Sequence, residues 1–188
     1  EMVGSLDESS NMNADSAVPD YGFHALIPNK LSKIQEIEST IMKLVVRNGE
    51  MLMPTEPQVT LAQFVSVNLA EDELEFSIPI YNTMLNEAVE QSNVEGFVAE
   101  SFFSKHVNLD VNKAAMNFII DNVNIAPDDI EEEKRVKIVY QRISHLFVEL
   151  RFQMISDQLA EVKQQLASSK PEDMAEIMQK YKELKFKK

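Results

Sequence analysis

Residues 131–167 read EEEKRVKIVYQRISHLFVELRFQMISDQLAEVKQQLA, and this stretch decides the fold. Apolar side chains recur along it at steps of mostly three and four, which is typical of one stripe on an α-helix. The stripe consists of Val136, Val139, Ile143, Leu146, Leu150, Met154, Ile155, Leu159, Val162 and Leu166. Neither Gly nor Pro interrupts it, so we predict one helix of about 55 Å, at ~1.5 Å per residue. A small domain cannot cover that length, and we expect one end to project.

The helical pattern breaks at residues 168–171, which read SSKP. Ser169 and Glu172 have the spacing of a capping box, and Pro171 suits the first turn of a new helix. A second apolar face follows, formed by Met174, Ile177, Met178, Tyr181 and Leu184. Because so short a break usually joins antiparallel neighbours, we predict that the chain ends in an antiparallel helical hairpin.

Before the long helix, capping residues and apolar spacing indicate about five short helices. Their predicted starts are Ser32, Thr60, Ser77 with Pro79, Ser92 with Glu95 as a capping box, and Asn108 or Asp110, while Asn48-Gly49 closes the first helix. We therefore predict an all-α fold, a helical bundle followed by the long helix and the C-terminal hairpin. Residues 1–29 are interpreted as a flexible linker or N-terminal extension, 30–150 as the bundle subdomain and 151–188 as the hairpin subdomain.

Charge is distributed unevenly along the 188 residues, which carry a net charge of −13. Ten acidic and twelve basic residues in 131–188 give +2, so residues 1–130 carry −15. An acidic body disfavours contact with nucleic-acid phosphates. The chain has no cysteine and no apolar run of membrane-spanning length, and it shows no secretory signal. We expect a cytoplasmic protein without a membrane contact and, since residue 1 is Glu, a fragment of a longer one.

Motifs that carry chemistry are scarce. His24, His106 and His145 lie in no metal-ligand spacing, and neither a Gly-rich phosphate loop nor a nucleophile elbow occurs. We interpret His145 and Glu149, four residues apart, as a helical ion pair rather than a proton-transfer dyad. The sequence therefore predicts no catalytic residue, no metal ligand and no cofactor.

Four stretches resemble the C-terminal domain of bacterial replicative primases of the DnaG type. IMKLVVRNG at 41–49, within the segment 34–49, resembles the opening helix of that domain. DELEF with PIY in 72–81, FSKH with a later Asp in 103–110, and VELR at 148–151 are similar to segments of Bacteroidetes-type primases. The resemblance covers about residues 30–188, and the hairpin stands in the matching place.

The resemblance implies a non-catalytic module that docks a DNA primase onto the replicative DNA helicase, at the N-terminal domain of a DnaB-type enzyme. The hairpin is then the partner-binding surface, and weak self-association through it is a further expectation. Methionines there supply an adaptable apolar surface. The predicted contact residues are Met174, Ile177, Met178, Tyr181, Leu184 and Lys185.

Two other classes of function stay open at this point. A standalone helical nucleic-acid-binding or adaptor domain would carry a basic stripe across the body, which the −15 charge opposes. An enzyme with an unrecognised carboxylate site would bind a metal between the bundle helices.

Overall fold

The computed structural model describes residues 27–28, 30–120, 130–168 and 174–187. Within these ranges the backbone forms seven α-helices and no strand, only an isolated bridge between Leu52 and Thr60, so the predicted all-α fold is confirmed. The helices are α1 Lys33–Asn48, α2 Leu61–Glu71, α3 Pro79–Gln91, α4 Ala99–Ser104, α5 Leu109–Ile120, α6 Glu132–Ser168 and α7 Met174–Lys187. The predicted linker, residues 1–26 above all, and the capping box at Ser169 lie outside the described residues.

Helices α1 and α2 begin where their capping residues predict. The Ser32 hydroxyl accepts from the Gln35 backbone N–H, and the Gln35 side chain accepts in turn from the Ser32 N–H. Thr60 and Gln63 form the same reciprocal box at the start of α2. Each box satisfies two backbone donors that the first helical turn leaves without partners.

The predicted end of α1 is confirmed, but Gly49 acts there by its small size. Its φ is −57°, a helical value that any residue adopts. A Cβ at this position would lie 2.6 Å from the Val45 carbonyl oxygen and 3.1 Å from the Ala99 Cβ. Glycine is therefore required because a Cβ would clash with the Val45 carbonyl of α1 and would also crowd Ala99 of α4.

One predicted helix start is right only in part, and another is wrong. Pro79 opens α3 as its first residue, but Ile78 precedes it as the cap, and Ser77 donates from its hydroxyl to Glu38 on α1 at 2.6 Å. Ser92 does not begin a helix but is the C-terminal cap of α3, where its hydroxyl donates to the Ala88 carbonyl. The next helix, α4, starts only at Ala99, whose N–H donates to the Glu50 carboxylate at 3.1 Å.

Asn108 rather than Asp110 opens α5, because its side-chain oxygen accepts from the Asp110 N–H at 2.9 Å. Helix α6 has 37 residues, one later at each end than predicted. The predicted ion pair between His145 and Glu149 does not form, since Glu149 lies 3.4 Å from the Lys33 ammonium on α1.

One core joins the bundle helices to the N-terminal half of α6. Its buried residues on α6 are Val139, Ile143, Leu146, Phe147 and Leu150. Met154 packs at the edge of this core, whereas Leu159 and Val162 are buried outside it. Helix α6 thus runs without interruption from the bundle into a second, smaller apolar contact.

Candidate functional site

Helix α7 packs chiefly against the C-terminal half of α6, which lies beyond the bundle core. The contact buries Leu159 and Val162 of α6, with 8% and 1% of their surfaces exposed. On α7, the partly buried residues lie at helical spacing and form the inner stripe, Ile177, Tyr181 and Leu184. Three of the predicted partner-binding residues therefore face the intramolecular contact.

The other three predicted residues are exposed. Met174 and Met178 keep 47% and 45% of their surfaces exposed, and Lys185 is exposed as well. They lie four and seven residues apart, so they share a neighbouring stripe that flanks the inner one. We call Met174, Met178, Lys182 and Lys185 the outer stripe of α7, since Lys182 is also exposed at matching spacing.

A groove lies on the bundle between the loop after α1, helix α2 and helix α6. Its volume is about 620 Å³, within the ~300–1,000 Å³ range of ligand sites. The floor is aromatic, because the Phe64 ring packs edge-on against Tyr140 at 5.7 Å and Phe147 at 6.4 Å between centroids. Val67 and Val148 line it with 50% and 60% of their surfaces exposed.

The groove was not predicted from the sequence. Phe64 lies in α2, and Phe147 lies beside the predicted stripe of α6. The available signal is a second set at helical spacing, Tyr140, Ser144, Phe147 and Arg151, which lines the groove from α6. That set contains polar residues, so hydrophobic periodicity alone does not select it.

Carboxylates dominate the groove's charge. Glu56 and Glu71 line it and are exposed. The guanidinium of Arg151 is its one basic group among the described lining residues, and its Nε donates to Asp72 Oδ2 at 2.5 Å. Since Asp72 offsets the Arg151 charge, the two glutamates leave the groove net negative and suited to a cationic, partly apolar occupant.

Among the described residues, His106 and Glu87 form the arrangement closest to an acid–base pair. The His106 Nδ1 accepts from the Asn108 N–H at 3.1 Å, which assigns the ring hydrogen to Nε2. Nε2 lies 3.2 Å from Glu87 Oε2, and the imidazole is only 11% exposed. The approach of Nε2 to Glu87 Oε2 brings α3 next to the turn between α4 and α5, although that buried carboxylate oxygen makes no hydrogen bond.

No group of three metal-binding side chains occurs among the residues that the structure describes. In the same part of the chain, no helix is long and apolar enough to cross a membrane.

Comparison with known proteins identifies the region that corresponds to a family. A family model described as a domain of unknown function (DUF8430) matches residues 27–188. No curated protein and no solved structure matches the chain. The match begins six residues before α1 and includes every described helix.

Proposed function

The chain belongs to the DUF8430 family of unknown function, and we propose that it is a non-catalytic docking module that places a DnaG-type primase on the replicative DNA helicase. The observation that carries the proposal is the exposed outer stripe of α7, beside an inner stripe that already packs on α6. The resemblance of residues 30–188 to the primase C-terminal domain supplies the identity of the partner.

The position of α7 supports a docking role. It lies on the half of α6 beyond Met154, where the bundle core ends, so a partner reaches it without contacting the bundle. Met174 and Met178 offer a flexible apolar contact, and Lys182 and Lys185 add positive charge at its edge. Such an apolar centre with a charged rim is the usual composition of an interface.

The test is a binding titration of the chain against the N-terminal domain of the replicative helicase from the same organism. The double variant Met174→Ala/Met178→Ala should weaken binding by about tenfold or more, because truncating apolar anchors commonly costs ~2 kcal/mol. Val107→Ala is the matched control, since Val107 is 94% exposed but lies on the bundle. Lys185→Ala should act more weakly, and mainly at low salt.

Tyr181→Ala needs a second measurement, because Tyr181 is partly buried in the α6–α7 contact. We expect it to lower both the helicity of α7 and the affinity for the helicase. The proposed surface would be refuted if the methionine double variant bound the helicase with wild-type affinity while its circular dichroism spectrum was unchanged. The chain alone should synthesise no primers, which a primer-extension assay with Mg²⁺ checks.

A helical nucleic-acid-binding module is the second candidate, favoured by exposed Lys180, Lys182 and Lys185 on α7. One short basic helix neutralises few phosphates, and the body of the chain carries −15. Titration with single- and double-stranded DNA at two salt concentrations separates this candidate from the first.

A further inference from the structure

Two exposed surfaces of this chain are complementary in charge, and both combine apolar with charged residues. The groove has an aromatic floor, exposed Val67 and Val148, and the free carboxylates of Glu56 and Glu71. The outer stripe of α7 combines two half-exposed methionines with two exposed lysines on one face of a helix. An amphipathic helix laid into an apolar groove is a recurrent mode of protein recognition.

Charge decides which kind of helix the groove accepts. Acidic residues continue past its rim, because Glu73 and Glu75 follow Glu71 and Asp72 and are exposed. An acidic helix would meet like-charge repulsion there, and a neutral helix would leave the carboxylates unpaired, whereas a lysine-bearing helix would pair with them. Among the described helices, α7 alone carries two methionines and two lysines as an exposed stripe.

The two methionines of the outer stripe do not reach the groove of their own chain. Met174 is the first residue of α7 and follows the C-terminal end of α6 at residue 168. The groove is lined by Val148 and Arg151, which lie much earlier on α6. At ~1.5 Å per residue, about 25 Å of α6 separates residue 168 from Arg151. The Leu159 and Val162 contacts hold α7 in that position, so the occupant must come from another molecule.

We propose that the groove receives the outer stripe of α7 from a second copy of this chain. Met174 and Met178 cover Val67 and Val148 of the partner copy's groove, and Lys182 and Lys185 face Glu56 and Glu71. When each copy gives its α7 and receives the other's, the pairing closes as a two-fold dimer. This inference is independent of the helicase proposal, although a helicase bound to α7 would compete with the dimer.

Sedimentation equilibrium of the complete chain, from about 1 µM to about 1 mM, tests the proposal; those limits span the weak end of the affinity scale. We expect a concentration-dependent monomer–dimer equilibrium. Glu71→Lys and Lys182→Glu should each weaken the dimer by about tenfold or more, because each places like charges together. The combined variant Glu71→Lys/Lys182→Glu restores opposite charges and should recover most of the wild-type affinity.

Two matched controls carry the same charge changes away from both surfaces. Glu95→Lys and Lys105→Glu alter exposed residues near α4 and should leave the dimer unchanged. A chain that stays monomeric throughout, or a dimer that ignores both single reversals, overturns the proposal. The proposal is also overturned if the combined variant Glu71→Lys/Lys182→Glu does not recover dimer affinity although circular dichroism shows that the variants are folded.

Helicase titration separates this proposal from the docking function. Glu71 lies on α2, outside the helicase-binding stripe, so Glu71→Lys should weaken the dimer without weakening helicase binding. If the wild-type chain dimerises but does not bind the helicase, only the docking function is refuted. If it binds the helicase but stays monomeric, only the groove proposal is refuted.

Discussion

Arg151 of α6 donates from Nε to Asp72 Oδ2 at 2.5 Å, and Asp72 caps the C-terminal end of α2. The guanidinium carbon of Arg151 also lies 5.9 Å from the centroid of the Phe147 ring. This contact ties the bundle to the point where α6 leaves it, and it also forms one wall of the groove.

The first prediction concerns the stability that this ion pair contributes. Its side chains are 40% and 28% exposed, so solvent screens the pair, and we expect a coupling of about 1 kcal/mol in a double-mutant cycle. Arg151→Ala, Asp72→Ala and the double variant are compared by urea unfolding. Lys134→Ala, which removes an exposed pair with Glu131, should cost less than about 0.5 kcal/mol. Additive single effects at Arg151 and Asp72 would contradict the coupling.

A second prediction distinguishes two glycines, because Gly49 is needed for the space it leaves and Gly96 for its backbone angle. Gly49→Ala should destabilise by about 1–3 kcal/mol, because its Cβ would crowd the Val45 carbonyl and Ala99. Gly96 has φ of +77° and no atom near a Cβ, so Gly96→Ala is strained only through its backbone. Asn tolerates that backbone, and Gly96→Asn should be milder than Gly96→Ala, while Gly49→Asn should be no milder than Gly49→Ala. Thermal unfolding of the four variants measures this.

The third prediction separates the stability of the hairpin from that of the bundle. Leu159→Ala removes a buried side chain outside the bundle core, and the expected loss in the α6–α7 contact is about 2–3 kcal/mol. Amide exchange in α7 should accelerate while exchange in α1 stays unchanged, because α1 belongs to the bundle core. Leu146→Ala is the matched variant, and it should accelerate exchange in α1. Equal effects of the two variants on both helices would show a single cooperative unit.

The fourth prediction concerns alkaline stability. Burial raises the pKa of the Tyr81 hydroxyl, and the nearby Glu38 carboxylate raises it further, while a hydrogen bond with Ser39 opposes the shift. The raised pKa means that the folded state resists ionisation, so the stability from Tyr81 is complete below about pH 10 and falls as pH rises through the folded pKa.

Tyr81→Phe removes this ionisation. We expect the variant to be about 1 kcal/mol less stable than the wild type at neutral pH, because it lacks the hydrogen bond with Ser39. Between about pH 9.5 and 11, the free energy of unfolding should fall less in the variant than in the wild type. Urea midpoints measured across that range provide the comparison. Parallel pH profiles for the two proteins would rule out Tyr81 as the cause of alkaline unfolding.

Local signals in the sequence were sufficient for most of the helices. Ser32 with Gln35, Thr60 with Gln63, and Pro79 act on backbone groups within one turn, so their effect can be predicted without knowing the neighbours. Ser92 shows where this reasoning fails. Its spacing to Glu95 suits a capping box, but Ser92 is instead the C-terminal cap of α3, and its hydroxyl accepts from Thr60 at the start of α2, at 3.1 Å.

The sequence by itself determined the all-α class, the length of α6 and the apolar spacing of α7, because helical periodicity and capping depend on neighbours a few residues away. Only the tertiary structure decided which stripe of α7 packs on α6 and which stays exposed. It also decided that Phe64, Tyr140 and Phe147 form the floor of one groove. These arrangements depend on side chains far apart in the chain that meet only when the helices pack, and no local pattern encodes that packing.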